Sequence, residues 1–176
     1  MSRGNPPQQA TSGGSARWDQ LARAASQHRD VVQDQESLRQ LLAFELDGAP
    51  YAIPVECVRE IVRIRPITPV PRVPDEVRGV ISLRGEIVQV IDVRRRLRLA
   101  PANPTRSSRI IVLQDDEGRV AGILVDAVTE VLRLAESAIH PAAAGESSAV
   151  ESLCKCGERF VSMIDLEYVL SIHAEH

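Results

Sequence analysis

The sequence predicts an all-β fold, either a small barrel or a sandwich, and two observations carry this prediction. Apolar and polar residues alternate over many short stretches, and turn-forming residues separate these stretches at intervals of roughly ten residues. Only 3% of the residues are aromatic, so the core must consist mainly of Val, Ile and Leu. With 176 residues, the chain has room for one domain or for two small lobes that share a core.

Composition excludes several classes of function. Hydrophobic residues make up 44% and charged residues 26%, which is the balance of a soluble globular protein. The net charge of −3 does not favour nucleic acid or an anionic membrane as a partner. No apolar run approaches the roughly 20 residues that span a bilayer, so direct membrane insertion is not expected. The three cysteines, an odd number without a secretory signal, indicate the reducing cytoplasm.

The N-terminal residues 1–37 are predicted to form a separate extension. Residues 2–16 contain no apolar side chain larger than Ala, so we expect them to be disordered. From Trp18 to about Leu42 the apolar residues follow helical spacing. This stretch is either a frayed tether or an amphipathic helix that docks on the body or on a partner. The folded domain is then expected over residues 38–176.

The apolar period changes to two at the start of this domain. Leu42, Phe44 and Leu46 alternate with polar or small residues and are followed by Asp47-Gly48, which predicts a strand and a tight turn. Alternation resumes at residues 51–55 and 62–65. Four prolines interrupt residues 66–74, which predicts a loop or a sheet edge.

Two hairpins and a C-terminal helix complete the predicted elements. Apolar runs at residues 80–83 and 87–91 flank Arg84-Gly85-Glu86, and runs at 110–113 and 120–125 flank a turn at 115–118. Apolar residues at 128–134 continue the second hairpin, and residues 160–164 form a last strand. Asp165 stands at the N-cap position of a short helix.

No motif in the sequence indicates catalysis, and no cofactor is predicted. Cys154-Lys155-Cys156 could form a zinc site with Cys57 and His140, but the paired ligand spacing of zinc sites is missing. Redox-sensing thiols and inert thiols are the other readings. A basic cluster consists of Arg94, Arg95, Arg96 and Arg98. It could bind nucleic acid, but it is better explained as a solvated strand end, because no aromatics accompany it.

Several ordered blocks of the sequence resemble the CheW family of chemotaxis coupling proteins. The longest is RGVISLRGEIVQVIDVR at residues 78–94, and the second is GILVDAVTEVL at residues 122–132. FELDG, YAIPV and VREI precede them at the family's spacing, and FVSMIDLEYVL at 160–170 resembles its closing strand and helix. The resemblance covers about residues 41–172 in order, which is more specific than any one motif.

The resemblance implies a fold of two packed five-stranded β-barrels with a short C-terminal helix, and it implies no catalysis. It also implies two partners: the regulatory domain of a CheA-type histidine kinase and the cytoplasmic tip of a chemoreceptor. The expected function is therefore that of a stand-alone, non-enzymatic adaptor in a chemosensory array.

The resemblance also assigns residues to each partner. An ion pair between Arg84 and Glu60 is expected at the receptor face, since a guanidinium can hold a carboxylate by two parallel hydrogen bonds. The remaining receptor-binding residues would line a groove: Val58, Ile61, Gly79 and Ile110. The kinase-binding residues would lie at one end of the first barrel: Ile67, Arg78 and Ile87.

Three alternatives remain open from the sequence. The same fold could couple receptors to a kinase in a pathway that controls pili or gliding rather than swimming. A small barrel could instead bind nucleic acid, with retention that depends on salt. A cysteine-dependent metal or redox protein is the last alternative.

Overall fold

A computed structural model of the chain describes residues 37–142 and 149–172. The predicted N-terminal extension therefore lies outside the described residues except at Ser37. The described part is mostly β-strand, as the sequence predicts.

The described residues contain eleven strands and two short helices. The strands are β1 (Leu38–Leu46), β2 (Ala49–Pro54), β3 (Val58–Arg63), β4 (Val77–Leu83), β5 (Glu86–Asp92), β6 (Arg109–Gln114), β7 (Val120–Val125), β8 (Ala127–Ala135), β9 (Ile139–Pro141), β10 (Val150–Cys156) and β11 (Arg159–Ile164). The helices are α1 (Val93–Arg96) and α2 (Leu166–Leu170). Short 3-10 turns occupy Val55–Cys57 and Glu136–Ala138.

The strands form two sheets, which confirms the prediction of an all-β fold of two small barrel-like units. The six-stranded sheet has the order β8-β1-β2-β11-β10-β9, and the five-stranded sheet has the order β3-β6-β7-β5-β4. The first sheet has one strand more than the five that were expected. The additional strand is the three-residue edge strand β9. The chain passes from the six-stranded to the five-stranded sheet at Val55–Cys57, between β2 and β3, and returns at Asp126, between β7 and β8.

The apolar side chains divide into three clusters that follow from this topology. One lies on the inner face of the six-stranded sheet around Leu41 and Met163, and one on the inner face of the five-stranded sheet around Ile81 and Ile110. The largest joins the two sheets and includes Phe44. Successive side chains of a strand point to opposite faces, so β1 contributes to two clusters at once.

This double burial corrects one expectation. The helical spacing was predicted to continue to about Leu42, but β1 begins at Leu38. Four consecutive residues from Leu41 to Phe44 are buried, because one face of the strand packs into the cluster between the sheets and the other into the core of the six-stranded sheet. A run without alternation fits a buried strand as well as a helix.

The predicted turns and the C-terminal cap are confirmed. Asp47 and Gly48 have φ of 54° and 74°, and Arg84 and Gly85 have φ of 50° and 87°, so both hairpins close with two residues in the left-handed region. Asp165 accepts a hydrogen bond from the Tyr168 amide at 3.0 Å and caps α2 as expected.

The prediction for the basic cluster is wrong in part. Residues Val93–Arg96 form α1 rather than a solvated strand end, and Asp92 caps this helix through the Arg95 amide. The side chains of Arg94 and Arg96 are only 13% and 18% exposed, because they are hydrogen-bonded within the protein. A helix of four residues is too short to show a periodicity in the sequence.

Candidate functional site

The seam between the two edges of the five-stranded sheet holds the predicted receptor-binding pair. Strands β3 and β4 stand at opposite ends of the strand order, and side chains bring them together. The Arg65 guanidinium donates to the Ser82 carbonyl at 2.9 Å across this seam. The barrel is therefore closed at this point by side chains rather than by a ladder of backbone hydrogen bonds.

Two ion pairs lie on the seam. Arg84 Nη2 stands 3.3 Å from Glu60 Oε2, which confirms the expected pairing. Arg59 Nη1 stands 2.8 Å from Glu86 Oε2, and the sequence reasoning missed this second pair. The signal was present, because Arg59-Glu60 faces Arg84-Gly85-Glu86 with charges in complementary order.

The two members of the Arg84–Glu60 pair differ in exposure. The Arg84 side chain is 77% exposed and the Glu60 side chain only 21% exposed. Arg84 follows the buried end of β4 and lies in a two-residue turn, which holds its backbone while its guanidinium stays in water. A guanidinium held in this way keeps donors free for a second carboxylate from a partner.

Of the other predicted receptor-binding residues, Ile61 is accessible on the same edge strand. Ile61 is 42% exposed and follows Glu60 on the edge strand β3, so it points to the other side of that strand. Val58 is half-buried and packs against the cluster between the sheets. The accessible part of the predicted receptor face is therefore a charged pair with one exposed aliphatic side chain on the same edge.

The other two predicted receptor-binding residues lie inside the protein, which corrects their assignment. Ile110 is fully buried in the core of the five-stranded sheet and cannot line a surface groove. Gly79 is also buried, and a Cβ built there would lie 2.2 Å from the Thr68 carbonyl oxygen. The close approach that Gly79 permits is thus to the chain's own proline-rich loop, which pairs with β4 through Thr68 and Val80.

The predicted kinase-binding residues do not form one compact patch. Ile87 is 70% exposed and lies near the tip of the β4–β5 hairpin, opposite Ser82. Arg78 lies four residues before Ser82, or roughly 13 Å along β4, and its Nη1 is 3.7 Å from Asp92 Oδ2. Ile67 is half-buried against the core of the five-stranded sheet.

The exposure of Ile87 has a simple structural origin. Ile87 and Ile91 share one face of β5, and Ile91 is buried between the two sheets. Near the hairpin tip the other sheet no longer covers this face, so the aliphatic side chain of Ile87 meets solvent. The tip carries Arg84 as well, which makes the two predicted faces neighbours on one hairpin rather than distant surfaces.

A cluster of Arg94, Asp47 and Asp126, here called the Arg94 cluster, joins the two sheets. The sequence did not reveal it. Arg94 donates to both Asp126 oxygens, with its Nη2 2.6 Å from Oδ2, and its Nη1 lies 3.2 Å from Asp47 Oδ1. Nη1 also donates to the Ala100 carbonyl, and the Asp47 amide donates to Asp126. Burial by itself would raise the pKa of Asp126, but the bonds from Arg94 and Asp47 outweigh it and lower that pKa.

The cysteines are not brought together as a metal site. Cys154 is buried inside the six-stranded sheet, whereas Cys57 lies in a 290 Å³ cleft beside the Asp115 turn. Burial raises the pKa of both thiols, which favours the unreactive protonated form. Within residues 37–142 and 149–172, no three His, Cys, Asp or Glu side chains form a metal-binding group.

Rigid strands that carry exposed charged pairs and aliphatic side chains define an all-β binding module. The family model described as "CheW-like domain" matches residues 40–173, so the chain belongs to the CheW-like family of chemotaxis coupling proteins, which are non-enzymatic adaptors. No helix in the described part of the chain is long and apolar enough to cross a membrane.

Individual proteins are similar to this chain in sequence and in structure. The chemotaxis protein CheW of Rhizobium meliloti is 35% identical over 135 residues, which cover 74% of this chain and 86% of the relative. The protein FrzA of Myxococcus xanthus is 30% identical over 115 residues, which cover 65% and 71%. The crystal structure of the scaffolding protein TtCheW from Thermoanaerobacter tengcongensis superposes with a TM-score of 0.73 at 29% identity and covers 79% of this chain and 97% of that one.

Proposed function

We propose that this chain couples the cytoplasmic tip of a chemoreceptor to the regulatory domain of a CheA-type histidine kinase in the cytoplasm. It acts by holding both partners at once and carries out no reaction of its own. Membership of the CheW-like family supports the adaptor role, and the geometry of the hairpin β4–β5 supports the assignment of partners.

The observation that carries the proposal is the exposed Arg84–Glu60 pair on the barrel seam. Arg84 keeps most of its donors in water while Glu60 orients it, so a receptor carboxylate can bind without first breaking the fold. Ile61, on the other face of the same edge strand, adds an accessible aliphatic contact for the apolar face of a receptor helix that lies along that edge. Ile110 and Gly79 shape this face from beneath it rather than touch the partner.

Kinase binding is assigned to the opposite side of the same hairpin. Ile87 offers an exposed aliphatic side chain there, and contacts between proteins commonly centre on such residues. Arg78 and Ile67 lie farther along and would support this contact. The two partners would then meet on either side of one hairpin, which explains how a small adaptor brings them close.

The test is reconstitution from purified components. The chain, a receptor cytoplasmic fragment and a CheA-type kinase from the same cell are mixed, and assembly is measured by co-sedimentation together with the rate of kinase autophosphorylation. We expect a ternary complex and a higher rate only when all three are present. An unchanged rate, with no complex at micromolar concentrations, would rule the proposal out.

A second candidate pathway is favoured by the similarity to the protein FrzA of Myxococcus xanthus. In this version the adaptor has the same fold and binds a receptor and kinase that control gliding or pili. Deletion of the gene in the source cell distinguishes the two. Loss of directed swimming supports the first pathway, and loss of directed surface movement alone supports the second.

A further inference from the structure

A basic groove separate from both predicted faces opens beside the C-terminal helix. Its volume is about 1050 Å³, and its walls are the loop at residues 72–76, the turn after α1, and Ser171 and Ile172, which follow α2. None of the nine predicted partner-binding residues lines it. The groove therefore needs an explanation of its own.

Hydrogen bonds fix two of its walls. Arg95 donates to the Asp75 carbonyl at 2.9 Å, and the Asp92 amide donates to the Glu76 carbonyl at 2.7 Å, which ties the loop to α1. Arg96 donates to the Tyr168 carbonyl at 2.6 Å and to the Ser171 carbonyl at 3.1 Å. These bonds hold the groove open in the unbound protein, so a ligand need not order it.

The remaining two arginines of the groove face solvent. Within the described residues, the side chains of Arg72 and Arg98 make no hydrogen bond and no ion pair, although both line the groove. Both also have positive φ, 60° and 58°, a left-handed conformation that disfavours any side chain relative to glycine. Backbone geometry alone would thus favour Gly at these positions. The presence of arginine at both is explained if the two guanidinium groups bind a ligand.

We propose that this groove binds an extended acidic peptide segment of a partner protein, with carboxylates held by Arg72 and Arg98. Guanidinium groups with unoccupied donors bind carboxylates by paired hydrogen bonds. Val73, Pro74 and Ile172 supply apolar wall between the charges, so the segment would carry an apolar residue flanked by acidic ones.

The other polyanions fit the groove less well. Asp75 and Glu76 also line it. A nucleic acid backbone carries a charge on every phosphate and would meet these carboxylates, whereas a peptide can place its apolar residue beside them. The Arg96 guanidinium lies 4.2 Å from the centroid of the nearby Tyr168 ring, so the face that it covers offers no stacking platform. A concave groove also cannot reach a flat bilayer surface along its length.

The experiment measures binding of a fluorescent seven-residue peptide with glutamates around one leucine to the full chain by fluorescence anisotropy. A matched peptide with glutamine for each glutamate is the ligand control. We expect the Arg72→Gln/Arg98→Gln protein to bind at least about tenfold more weakly than wild type, and high salt to weaken the wild-type complex. The Arg72→Lys/Arg98→Lys protein should recover part of the loss.

A charge-matched control keeps the proposal falsifiable. Arg63 and Arg133 are exposed arginines outside the groove, so Arg63→Gln/Arg133→Gln removes the same charge elsewhere and should leave binding unchanged. An equal loss in this control would mean nonspecific attraction. No binding by wild type, or tighter Arg72- and Arg98-dependent binding of a thymidine oligonucleotide or anionic vesicles, would overturn the assignment to an acidic peptide.

Discussion

Two arginines of this chain each meet carboxylates beside a two-residue turn, but their surroundings differ. Arg94 is 13% exposed and makes several short contacts with Asp126 and Asp47, between the two sheets. Arg84 is 77% exposed and meets Glu60 through one contact of 3.3 Å. Because water weakens an exposed pair, the Arg94 cluster should hold the fold together, whereas Arg84 remains available to a partner.

The same division runs through the predicted receptor face. Gly79 and Ile110 are buried and belong to the support of the barrel, while Glu60, Ile61 and Arg84 reach the surface. A residue can therefore match a family's binding position and still act only through its neighbours. Stability and binding measured on the same variants separate these two roles.

The largest loss of stability is expected at Gly79. Alanine there would place a Cβ 2.2 Å from the Thr68 carbonyl oxygen, and its φ of +136° disfavours any side chain. We expect Gly79→Ala to lower the free energy of unfolding by about 3 kcal/mol, measured by urea denaturation.

Gly85 provides the matched control on the same hairpin. Its φ of +87° is also positive, but a Cβ there would meet nothing within 4 Å. Gly85→Ala should therefore cost only about 1 kcal/mol, from backbone conformation alone. Equal effects at the two glycines would show that the proline-rich loop yields easily and that Gly79 does not support it.

The next largest loss is expected from the Arg94 cluster. Asp126→Ala removes the carboxylate that accepts from Arg94 and from the Asp47 amide, so we expect a loss of about 2 kcal/mol in unfolding free energy. Glu60→Ala removes the partner of the exposed Arg84 and should cost no more than about 1 kcal/mol. If the two substitutions cost the same, the contrast between the clusters is mistaken.

The stability that the Arg94 cluster contributes should also depend on pH. The pKa of Asp126 is lowered in the folded protein, so its contribution to stability is present above the unfolded pKa, about 4, and is lost as the pH falls through the folded value. The difference in unfolding free energy between wild type and Asp126→Asn should be constant near neutral pH and shrink below about pH 4. A difference that does not change down to pH 2 would contradict this assignment.

Ile87→Asp should leave stability nearly unchanged, because the side chain is already 70% exposed. We expect it to weaken kinase binding, since the complex would bury an unpaired carboxylate, and to spare receptor binding. Both affinities are measured on the folded variant by titration calorimetry. If receptor binding alone is lost, the assignment of the two partners to the two sides of the hairpin is wrong.

The sequence revealed the parts of the fold that repeat a simple period or a turn motif. The two hairpins, the Asp47-Gly48 turn and the Asp165 cap depend on local chemistry and were predicted correctly. The beginning of β1 was predicted as helix because Leu38 and Leu42 stand four residues apart, and the buried run from Leu41 to Phe44 shows no alternation in burial. Strands β9 and β10 were missed, since short edge strands and the Cys154 to Cys156 stretch show little apolar alternation.

The candidate site was predictable only where local sequence determines exposure. Arg84 lies in a turn, so its exposure follows from the sequence, and its pairing with Glu60 agrees with the family resemblance. The burial of Ile110 depends on which strands cover both faces of β6, and the contact of Gly79 depends on the path of a loop. Both are tertiary features that alternation within one strand does not encode.

The most direct test of the central claim is an exchange of charges on the seam. The Arg84→Glu/Glu60→Arg protein keeps an ion pair between the same two positions but moves the guanidinium from the exposed turn to the more buried strand. Affinity for the receptor fragment is compared with wild type and with Arg84→Glu, after equal unfolding midpoints are established. We predict that the exchanged protein binds as weakly as Arg84→Glu, because the receptor needs a cation at position 84. Recovery of wild-type affinity would show instead that the pair serves only to close the barrel.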